Sequence, residues 1–461
     1  MDYTVLDYLQ EKKIYVEASC GGAGTCGKCK VTVNGKTCLA CRTKYADGME
    51  ITVSEKENIT ALGVDVSGKT DSNSEYGLAV DIGTTTIAFA LVDLKSGNPV
   101  FSHGTTNSQR ALGADVISRI KAADEGKLEL LNKHVLQDIL DGISYVSNES
   151  GVAAEKIIKM AVAANTTMLH ILVGANCRSL GQYPFTPVFI DMQQKPFYEI
   201  FKTNTLSCDV ILLPGISTYV GADIVAGISY GFSLGDSGLL IDLGTNGEIA
   251  LFSEDEVVGT ATAAGPAFEA GNISCGTGSV TGAISRAVFL PDKKIFEYET
   301  INNGKPVGLC GSGLLDVAAQ LLLNNYIDEA GSMDDDFIIA ENVIITPKDI
   351  RELQLAKSAV RSGIEILLEE CGKTYDNIDN IYLAGGFGHT LNVENAFILG
   401  VLPEKWKTDK ITAVGNSSLA GCIRYLTRPD MFSFLSKSRE INLSAHPRFN
   451  DLFMEYMMFE V

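Results

Sequence analysis

Five of the eleven cysteines are grouped near the start of the chain, and their spacing is typical of a metal–sulfur site. Cys20, Cys26 and Cys29 form a C-x5-C-x2-C pattern, and Cys38 and Cys41 follow closely. Iron clusters require several thiolates that converge on one small inorganic core. The glycines between Cys20 and Cys26 allow the loop to wrap closely and to direct backbone N–H groups at the sulfurs. The pattern therefore predicts an iron–sulfur centre and a role in electron transfer.

A structural zinc site is the alternative interpretation of the same cysteines. Zinc sites commonly pair one C-x2-C with a second one, and Cys26/Cys29 with Cys38/Cys41 has that spacing. That arrangement gives Cys20 no role and leaves the intervening glycines unexplained. The iron–sulfur interpretation accounts for both features, and we prefer it for that reason.

A second pattern that could do chemistry is Asp-x-Gly-Thr, which occurs twice, each time between apolar stretches. A glycine turn brings backbone amides close to an anion, and threonine hydroxyls can donate to phosphate oxygens. An aspartate can hold a hydrated Mg²⁺ that bridges phosphates. Two such hairpins facing each other would clamp a polyphosphate, whereas a single copy could be an ordinary β-turn. The residues are Asp81, Gly83, Thr84 and Thr85, and about 160 residues later Asp242, Gly244, Thr245 and Asn246.

A glycine-rich turn follows a third apolar stretch. Residues 381–388 read IYLAGGFG, and Gly385 and Gly386 would leave room for a flat adenine or ribose against the backbone. Alone, these residues would fit a tight strand–helix turn equally well. After two phosphate-type hairpins, they strengthen the prediction of a nucleotide site.

The elements that must position these residues can be predicted from their patterns. Residues 2–16 are expected to form a short helix and a strand, and Asn34-Gly35 between alternating residues predicts a β-hairpin. Residues 345–372 carry apolar side chains at helical spacing. Residues 64–76 are rich in Ser, Gly and Asp, which predicts a linker.

Composition and charge exclude two classes of partner. The 461 residues carry a formal net charge of -20 and contain no basic run, whereas nucleic-acid binding needs stripes of Lys and Arg. No stretch of about 20 apolar residues is present, and the first residues do not have the pattern of a secretory signal. We therefore expect a cytoplasmic protein that binds neither nucleic acid nor membrane. The length predicts two or three domains.

The cysteine region resembles the ferredoxin-type 2Fe–2S loop, through SCGGAGTCGKC and the later LAC. In that family the fourth ligand is the Cys of the L-x-C, which implies Cys41 and not Cys38. Ferredoxin modules normally open with a β-hairpin before the first helix, and this chain starts almost at the helix. The resemblance implies an α+β, shortened β-grasp module whose cluster ligands are Cys20, Cys26, Cys29 and Cys41.

The three glycine-containing elements together resemble the acetate and sugar kinase, heat-shock chaperone and actin superfamily. In that superfamily two phosphate loops and an adenosine loop come in this order, from duplicated domains, which implies an α/β actin-like ATPase fold. The resemblance assigns the organisation of Mg-ATP to Asp81 and Asp242. In chaperones of this fold a helix comparable to residues 345–372 contacts the nucleoside, which implies Lys357. The implied ATP contacts are Gly83, Thr84, Thr85, Gly244, Thr245, Asn246, Gly385, Gly386 and Lys357.

As a whole, the chain resembles the reductive activators of corrinoid proteins, which join a 2Fe–2S module to an ATPase of this type. Further motifs fit that family: AANTTMLH at 163–170, YVGAD at 219–223, GPAFE at 265–269 and CGSGLLD at 310–316. The implied activity is the ATP-dependent one-electron reduction of Co(II) to Co(I) in a corrinoid methyltransferase protein. The implied cofactors are a 2Fe–2S cluster, ATP and Mg²⁺. The implied partners are the corrinoid protein and a low-potential electron donor, and a homodimer is compatible with the family.

The expected domain boundaries follow from these resemblances. Residues 1–60 would form the 2Fe–2S module, residues 61–76 a flexible linker, residues 77–212 the first half of the ATPase domain and residues 213–461 the second half.

Other functions remain open at the level of the sequence. A small-molecule kinase with a redox-sensing appendage would need a catalytic base, and none is evident. A non-catalytic nucleotide-binding protein with a 2Fe–2S appendage would not turn over ATP. The activators of 2-hydroxyacyl-CoA dehydratases share the ATPase fold, but they hold a 4Fe–4S cluster between two subunits, and the N-terminal module argues against them.

Several motif residues are expected to be structural. His170 is predicted to be a core histidine with satisfied hydrogen bonds, and Asp223 is predicted to cap a helix. GPAFE and CGSG either shape the nucleotide site or form tight turns. Glu248 follows the second phosphate-type loop and is a candidate to orient a water molecule.

Overall fold

The computed structural model describes residues 3–12, 14, 16, 18, 22, 24, 29–53, 64–71, 73–385 and 391–459. The chain divides into two compact units. The first consists of Met1–Ile59, Asp65–Asp223 and Cys422–Arg428, and the second of Thr60–Val64, Ile224–Gly421 and Pro429–Val461.

The N-terminal part of the first unit is a small α+β module. Its elements are helix α1 (Val5–Glu11) and strands β1 (Lys30–Val33), β2 (Lys36–Leu39) and β3 (Ile51–Thr52), in the sheet order β2-β1-β3. Thr4 and Asp7 form a capping box that starts α1. Asn34 and Gly35 both have positive φ, 48° and 77°, so they form the predicted hairpin turn between β1 and β2. The hairpin prediction is confirmed.

The module has its own apolar core. Val5, Leu6 and Leu9 on α1 are buried against Val31 on β1, and Cys29 belongs to the same cluster. A side chain of α1 also reaches the rest of the first unit, where Gln10 Nε2 donates to the carbonyl oxygen of Ala111 at 2.8 Å.

The second half of the predicted linker is held against the first unit. Gly68 N donates to the carbonyl of Pro99 at 3.0 Å, and the hydroxyl of Tyr76 donates to the carbonyl of Asp71 at 2.8 Å. Tyr76 itself is fully buried and is the first residue of a strand. Composition alone placed Tyr76 in the linker, whereas its aromatic ring belongs to the core.

The remainder of the first unit is built on a six-stranded sheet with the order β6-β5-β4-β7-β9-β8. Strands β4, β7 and β9 run parallel, and β4, β5 and β6 form antiparallel hairpins. The elements are β4 (Tyr76–Ile82), β5 (Thr86–Asp93), β6 (Pro99–Thr106), α2 (Val116–Ala122), α3 (Leu128–Ser150), β7 (Ile157–Ala164), α4 (Thr166–Leu172), β8 (Gln193–Pro196), α5 (Phe197–Phe201) and β9 (Asp209–Leu212). Helix α6 (Ala222–Leu234) then carries the chain into the second unit.

The second unit contains a six-stranded sheet with the order β19-β18-β10-β11-β12-β20 and two smaller sheets. Its strands are β10 (Gly238–Leu243), β11 (Gly247–Phe252), β12 (Val257–Thr262), β13 (Ala283–Leu290), β14 (Ile295–Thr300), β15 (Gly308–Leu309), β16 (Phe337–Ala340), β17 (Val343–Ile345), β18 (Ile381–Ala384), β19 (Ile411–Gly415) and β20 (Ser438–Glu440). Its helices are α7 (Gly311–Leu323), α8 (Pro347–Glu370), α9 (Val393–Ile398) and α11 (Phe449–Glu455). Helix α10 (Ser417–Thr427) begins in the second unit, and from Cys422 onward it belongs to the first.

The two large sheets repeat one topology. In each, a first strand (β4 or β10) pairs antiparallel with the next, which pairs with a third, and two later strands add in parallel on the other side of the first. The predicted duplicated α/β fold is therefore confirmed, and each unit places one Asp-x-Gly-Thr sequence at the end of its first strand.

Helix α8 is the main helix of the second unit's core. Thr346 and Asp349 form a capping box at its start, and Leu353, Val360 and Ile364 are fully buried. The helix lies within the predicted range 345–372.

No helix in the described part of the chain is long and apolar enough to cross a membrane.

The CGSG sequence allows the start of α7 to pack closely against β13. A Cβ atom on Gly313 would lie 2.1 Å from the carbonyl oxygen of Ile284, so only glycine lets the helix approach β13 this closely. We expect Gly313→Ala to destabilise the protein by about 1–3 kcal/mol through overpacking, despite a gain of up to about 1 kcal/mol in helix propensity. The apparent melting temperature measures this.

Gly363→Ala is the matched control for Gly313→Ala. Its Cβ would meet the end of a side chain, Ile249 Cδ1, at 2.9 Å, and a side-chain end can move aside. We expect a clearly smaller loss of melting temperature. Equal losses for the two variants would show that the approach of α7 to β13 is not tight.

Candidate functional site

The hairpin of the N-terminal module brings two cysteines together. Ala40 N donates to the carbonyl oxygen of Cys29 at 2.8 Å, which closes the hairpin between the two thiols. Cys29 Sγ and Cys41 Sγ lie 3.2 Å apart, and Cys29 is buried. Cys29 Sγ donates to Cys41 Sγ, so the two thiols converge. After deprotonation, two converging sulfurs are suitable ligands for one iron atom of a cluster.

Gly24, five residues before Cys29, is contacted by a residue that sequence reasoning missed. Arg42 Nη2 donates to the carbonyl oxygen of Gly24 at 2.8 Å. Gly24 has a φ of +77°, which favours glycine, and a Cβ there would lie 2.6 Å from Arg42 Nε, so a larger residue would displace the Arg42 side chain. The only signal in the sequence was a cation directly after Cys41, and the guanidinium places a positive charge beside the loop.

The other predicted ligands, Cys20 and Cys26, lie outside the described residues. Cys38 pairs with Val31 across the hairpin and packs against the module's core. Among the residues that the structure describes, no three His, Cys, Asp or Glu side chains are grouped to hold a metal ion. The choice of Cys41 over Cys38 thus stays a prediction.

The first Asp-x-Gly-Thr sequence forms a tight turn between β4 and β5. Gly83 N donates to the carbonyl of Thr86 at 2.9 Å, and a Cβ on Gly83 would lie 2.8 Å from that same oxygen. Asp81 is buried near the end of β4, where it pairs with Ala163 of the parallel strand β7. The carboxylate therefore stands at the carboxyl edge of the sheet, where ligands of α/β proteins commonly bind.

Two buried side chains support this first loop, and neither was predicted. Asn107 Nδ2 donates to the carbonyl of Gly83 at 2.8 Å, and Arg119 Nη2 donates to the carbonyl of Thr84. Arg119 is fully buried and also donates through Nε to Gly113 at 3.0 Å. These bonds hold the loop's carbonyl groups inward.

The AANTT and YVGAD motifs meet in the first unit. Asn165 caps α4 by accepting from Met168 N at 2.9 Å. A Cβ on Gly221 would lie 2.8 Å from Thr166 N and 2.8 Å from an oxygen of Asp223. Asp223 was predicted to cap a helix, but it is the second residue of α6, two residues after the N-cap position at Gly221.

His170 is a core histidine, as predicted. It is fully buried, with Nδ1 2.7 Å from the carbonyl oxygen of Thr166, and Val188 N donates to Nε2 at 2.9 Å. Both ring nitrogens are used by one neutral tautomer, and burial lowers the pKa of His170.

Acidification is expected to destabilise the first unit through His170. The folded state holds the ring neutral, whereas the unfolded state binds a proton near the usual pKa of about 6.5. Stability should therefore be full above that pH and fall as the pH decreases through it toward the lowered folded pKa. Melting temperatures between pH 7.5 and 5.5 measure the slope. His170→Gln should flatten it, and an unchanged slope would contradict this assignment.

The second Asp-x-Gly-Thr sequence forms the corresponding turn between β10 and β11. Gly244 N donates to the carbonyl of Asn246 at 3.0 Å. Asp242 and Glu248 are direct cross-strand partners on the two strands, so their carboxylates are on the same face of the sheet. Thr245 Oγ1 donates to Glu269 Oε2 at 2.5 Å. Glu269 was not predicted as a site residue, although its GPAFE motif was noted.

Gly385 adjoins this turn. Strand β18 runs parallel to β10, with Ala384 opposite Asp242. A Cβ on Gly385 would lie 2.6 Å from the carbonyl of Leu243 and 3.4 Å from Asp242 Oδ1, and its φ is +115°. The predicted adenosine turn and the second phosphate-type turn therefore begin side by side. Gly386 lies outside the described residues.

Lys357 faces the interior of the second unit. Its ammonium is fully buried, donates to the carbonyl of Met458 at 2.5 Å and lies 5.2 Å from the centre of the Phe459 ring. Gln354, one turn earlier on α8, donates to the carbonyl of Met457 at 2.8 Å. An ATP contact at Lys357, which stays a prediction, would require this C-terminal segment to move away.

The oxygen donors around the second loop suit a hard cation. Carboxylates and hydroxyls are the ligands that Mg²⁺ prefers, usually together with waters and substrate phosphates. Asp242, Glu248, Thr245 and Glu269 supply these groups within one turn and its neighbours. Among the described residues, no three such carboxylates are grouped closely enough to hold a metal ion by themselves, so a cation here would need phosphate oxygens and waters as further ligands.

Three family models match the chain in succession. Residues 1–61 match the 2Fe-2S iron-sulfur cluster binding domain, residues 76–231 match the RACo middle region, and residues 236–461 match the C-terminal domain of RACo, the ASKHA domain. The first match supports a 2Fe–2S cluster and not a zinc site.

Named relatives cover most of the chain. The corrinoid activation enzyme RamQ of Eubacterium limosum is 31% identical over 420 residues, covering 83% of this chain and 70% of that protein. The [Co(II) methylated amine-specific corrinoid protein] reductase of Methanosarcina barkeri is 26% identical over 377 residues, 75% of this chain and 68% of that protein. The solved structure of a reductive activator for corrinoid, iron-sulfur protein aligns with a TM-score of 0.78 at 27% identity, over 99% of this chain and 95% of that one.

The fold and the two kinds of site define an iron–sulfur protein with an actin-like ATPase domain. The chain belongs to the family of reductive activators of corrinoid proteins.

Proposed function

We propose that this protein reduces the cobalt of a corrinoid methyltransferase protein from Co(II) to Co(I) with one electron, at the expense of ATP. The observation that carries the proposal is the presence in one chain of convergent cysteine thiols, Cys29 and Cys41, and of two Asp-x-Gly-Thr hairpins at equivalent ends of duplicated sheets. The names of the relatives support the choice of a corrinoid protein as the acceptor.

Cys20, Cys26, Cys29 and Cys41 are the proposed ligands of the cluster. When bound, the 2Fe–2S cluster supplies a one-electron carrier of low potential, near about −400 mV for plant-type centres. Burial of Cys29 limits the access of water to the sulfur, and Arg42 beside the loop offsets part of the negative charge. Both effects adjust how readily the electron leaves.

ATP is the proposed second substrate, with Mg²⁺ as its cation. Asp242 organises the metal on the second unit, where Gly244, Thr245 and Asn246 form the turn and Gly385 adjoins it. Asp81 has the same proposed role on the first unit, with Gly83, Thr84 and Thr85. Gly386 and Lys357 are retained as predicted contacts of the nucleoside.

When the reduction potential of the Co(II)/Co(I) couple is lower than that of the 2Fe–2S cluster, electron transfer to cobalt is unfavourable. ATP is then needed to complete the cycle. For one electron, about 59 mV is a factor of ten, so a gap of ~300 mV corresponds to about 7 kcal/mol. Docking that favours the more easily reduced cobalt state can supply such an energy. ATP then resets the complex by changing which state the activator prefers.

We also propose three properties from the family resemblance. A low-potential protein or reductant reloads the cluster, the chain works in the cytoplasm, and two copies form a homodimer. Co-purification from anaerobic extract and the mass of the purified protein in solution test the first and the last.

The test of the main proposal is an anaerobic mixture of a Co(II) corrinoid protein, a strong reductant and this protein. We expect Co(I) absorbance to rise with ATP and to rise far more slowly without ATP or without this protein. A non-hydrolysable ATP analogue should support a single turnover at most. Equal rates with and without ATP would contradict the coupling of ATP to reduction.

A further inference from the structure

Glu269 makes the most informative contact of the second phosphate-type loop. Thr245 is nearly buried, and its hydroxyl donates to Glu269 Oε2 at 2.5 Å. The other carboxylate oxygen lies on the same side of the turn, since a Cβ on Gly244 would be 3.9 Å from Glu269 Oε1. A carboxylate 24 residues further along the chain thus adjoins two consecutive residues of the loop.

The segment that carries Glu269 is fixed. Residues Pro266–Glu269 form a 3-10 turn that starts after Gly265, whose φ is 76°, and ends at Ala270, whose φ is 57°. Phe268 anchors the turn in the core, and Gly271 N donates to the carbonyl of Pro266 at 2.7 Å. The position of the carboxylate is therefore set by the fold and not by a mobile loop.

The contact decides what the Thr245 hydroxyl can offer a ligand. A hydroxyl has one proton and two lone pairs, and an ionised carboxylate can only accept. Because the proton of Thr245 is directed at Glu269, the lone pairs are what remains for another partner. Phosphate oxygens at neutral pH are acceptors too, so they do not suit this orientation, whereas a divalent cation does. In P-loop proteins a Ser or Thr hydroxyl binds Mg²⁺ in the same sense.

The charge around the loop supports the same choice. Asp242 and Glu248 face each other across β10 and β11, and Glu269 adds a third carboxylate through Thr245. A bare polyphosphate would meet like charge here. A divalent cation between the carboxylates and the phosphates removes that repulsion.

We propose that Glu269 is a positioning residue that fixes the hydroxyl of Thr245 as a ligand for the divalent cation of the bound nucleotide. The proposal rests on ATP binding as proposed above and differs from one sequence expectation, that this threonine donates to a phosphate oxygen. It makes the second loop primarily a cation-binding element.

The test compares nucleotide affinity with and without the metal. The full-length, cluster-loaded protein is titrated with a non-hydrolysable ATP analogue, once in Mg²⁺ and once in EDTA. We expect Glu269→Ala to weaken binding in Mg²⁺ by about 10–100-fold, the range for loss of a group that orients a metal ligand, and Thr245→Val, which removes the ligand itself, to weaken it at least as much. In EDTA the same variants should bind as the wild type does.

Conservative variants provide the matched controls. Thr245→Ser keeps the hydroxyl, and Glu269→Gln keeps an oxygen that can accept its proton, so both should retain most of the gain in affinity from Mg²⁺. Cluster absorbance and melting temperature report folding, and if Glu269→Ala does not fold, the Val and Ser variants of Thr245 decide.

Three results would overturn the inference. Thr245→Val could weaken binding equally in Mg²⁺ and in EDTA, which would place the hydroxyl on phosphate. A second such result is that Glu269→Ala and Thr245→Val both bind the nucleotide in Mg²⁺ as tightly as the wild type does. A third is that Glu269→Gln loses as much nucleotide affinity in Mg²⁺ as Glu269→Ala does. Absence of nucleotide binding by the wild type in both buffers would instead refute the proposed function itself.

Discussion

Replacement of Cys41 by alanine is expected to remove the 2Fe–2S absorbance and the delivery of electrons while nucleotide binding is kept. Cys41 Sγ lies 3.2 Å from Cys29 Sγ, so its loss takes away half of a convergent pair. Metal affinity should fall by more than the ~10–100-fold that is typical when only a group that orients a ligand is removed, so the purified variant should contain little iron. Iron analysis and the visible spectrum of the anaerobically purified protein measure it.

Cys38→Ala is the matched control for Cys41→Ala. Cys38 lies within β2, where it pairs with Val31 on β1, and the family resemblance leaves it out of the ligand set, so its replacement should leave iron content unchanged. Loss of metal in Cys38→Ala, together with full metal content in a Cys20→Ala variant, would restore the zinc interpretation of the sequence.

Replacement of Asp242 by asparagine is expected to lower ATP hydrolysis by about 10²–10³-fold, as the loss of one group that stabilises charge in the transition state typically does. Stability should not fall in parallel. Asp242 and Glu248 are cross-strand partners, and like charges in that position destabilise a sheet. The variant should therefore melt at or slightly above the temperature of the wild type.

Asp255→Asn controls for the change in charge. Asp255 is exposed in the turn between β11 and β12, and we expect its replacement to leave ATP hydrolysis, measured as phosphate release with corrinoid partner present, unchanged. An Asp242→Asn variant with wild-type turnover would remove this loop from the ATPase site.

The parts of the fold that depend on local sequence could be predicted. The Asn34-Gly35 turn needs two residues of positive φ and has them, and helix α8 has its capping box and apolar face within a single stretch of chain. The two Asp-x-Gly-Thr turns close through bonds between close neighbours, such as Gly244 N to Asn246 O. Such features are written in adjacent residues.

The parts that depend on distant contacts could not be predicted. Arg119 supports the first loop from 35 residues away, and Glu269 reaches the second from 24 residues away. Lys357 matched a helix position that contacts the nucleoside in related folds, but its ammonium bonds to a carbonyl 101 residues later. Nothing near Lys357 in the sequence indicates that Met458 and Phe459 cover it.

A late segment of the first unit limits when that unit can finish folding during synthesis. Residues 422–428 belong to the first unit, about 200 residues after its preceding segment ends, and there Cys422 Sγ lies 3.1 Å from the carbonyl oxygen of Ala161. At roughly 5–20 residues per second, a ribosome needs on the order of 10–40 s to supply them. During that interval, the nascent first unit exposes the apolar surface that the end of helix α10 will cover. Newly made chains should therefore depend on chaperones until translation is nearly complete.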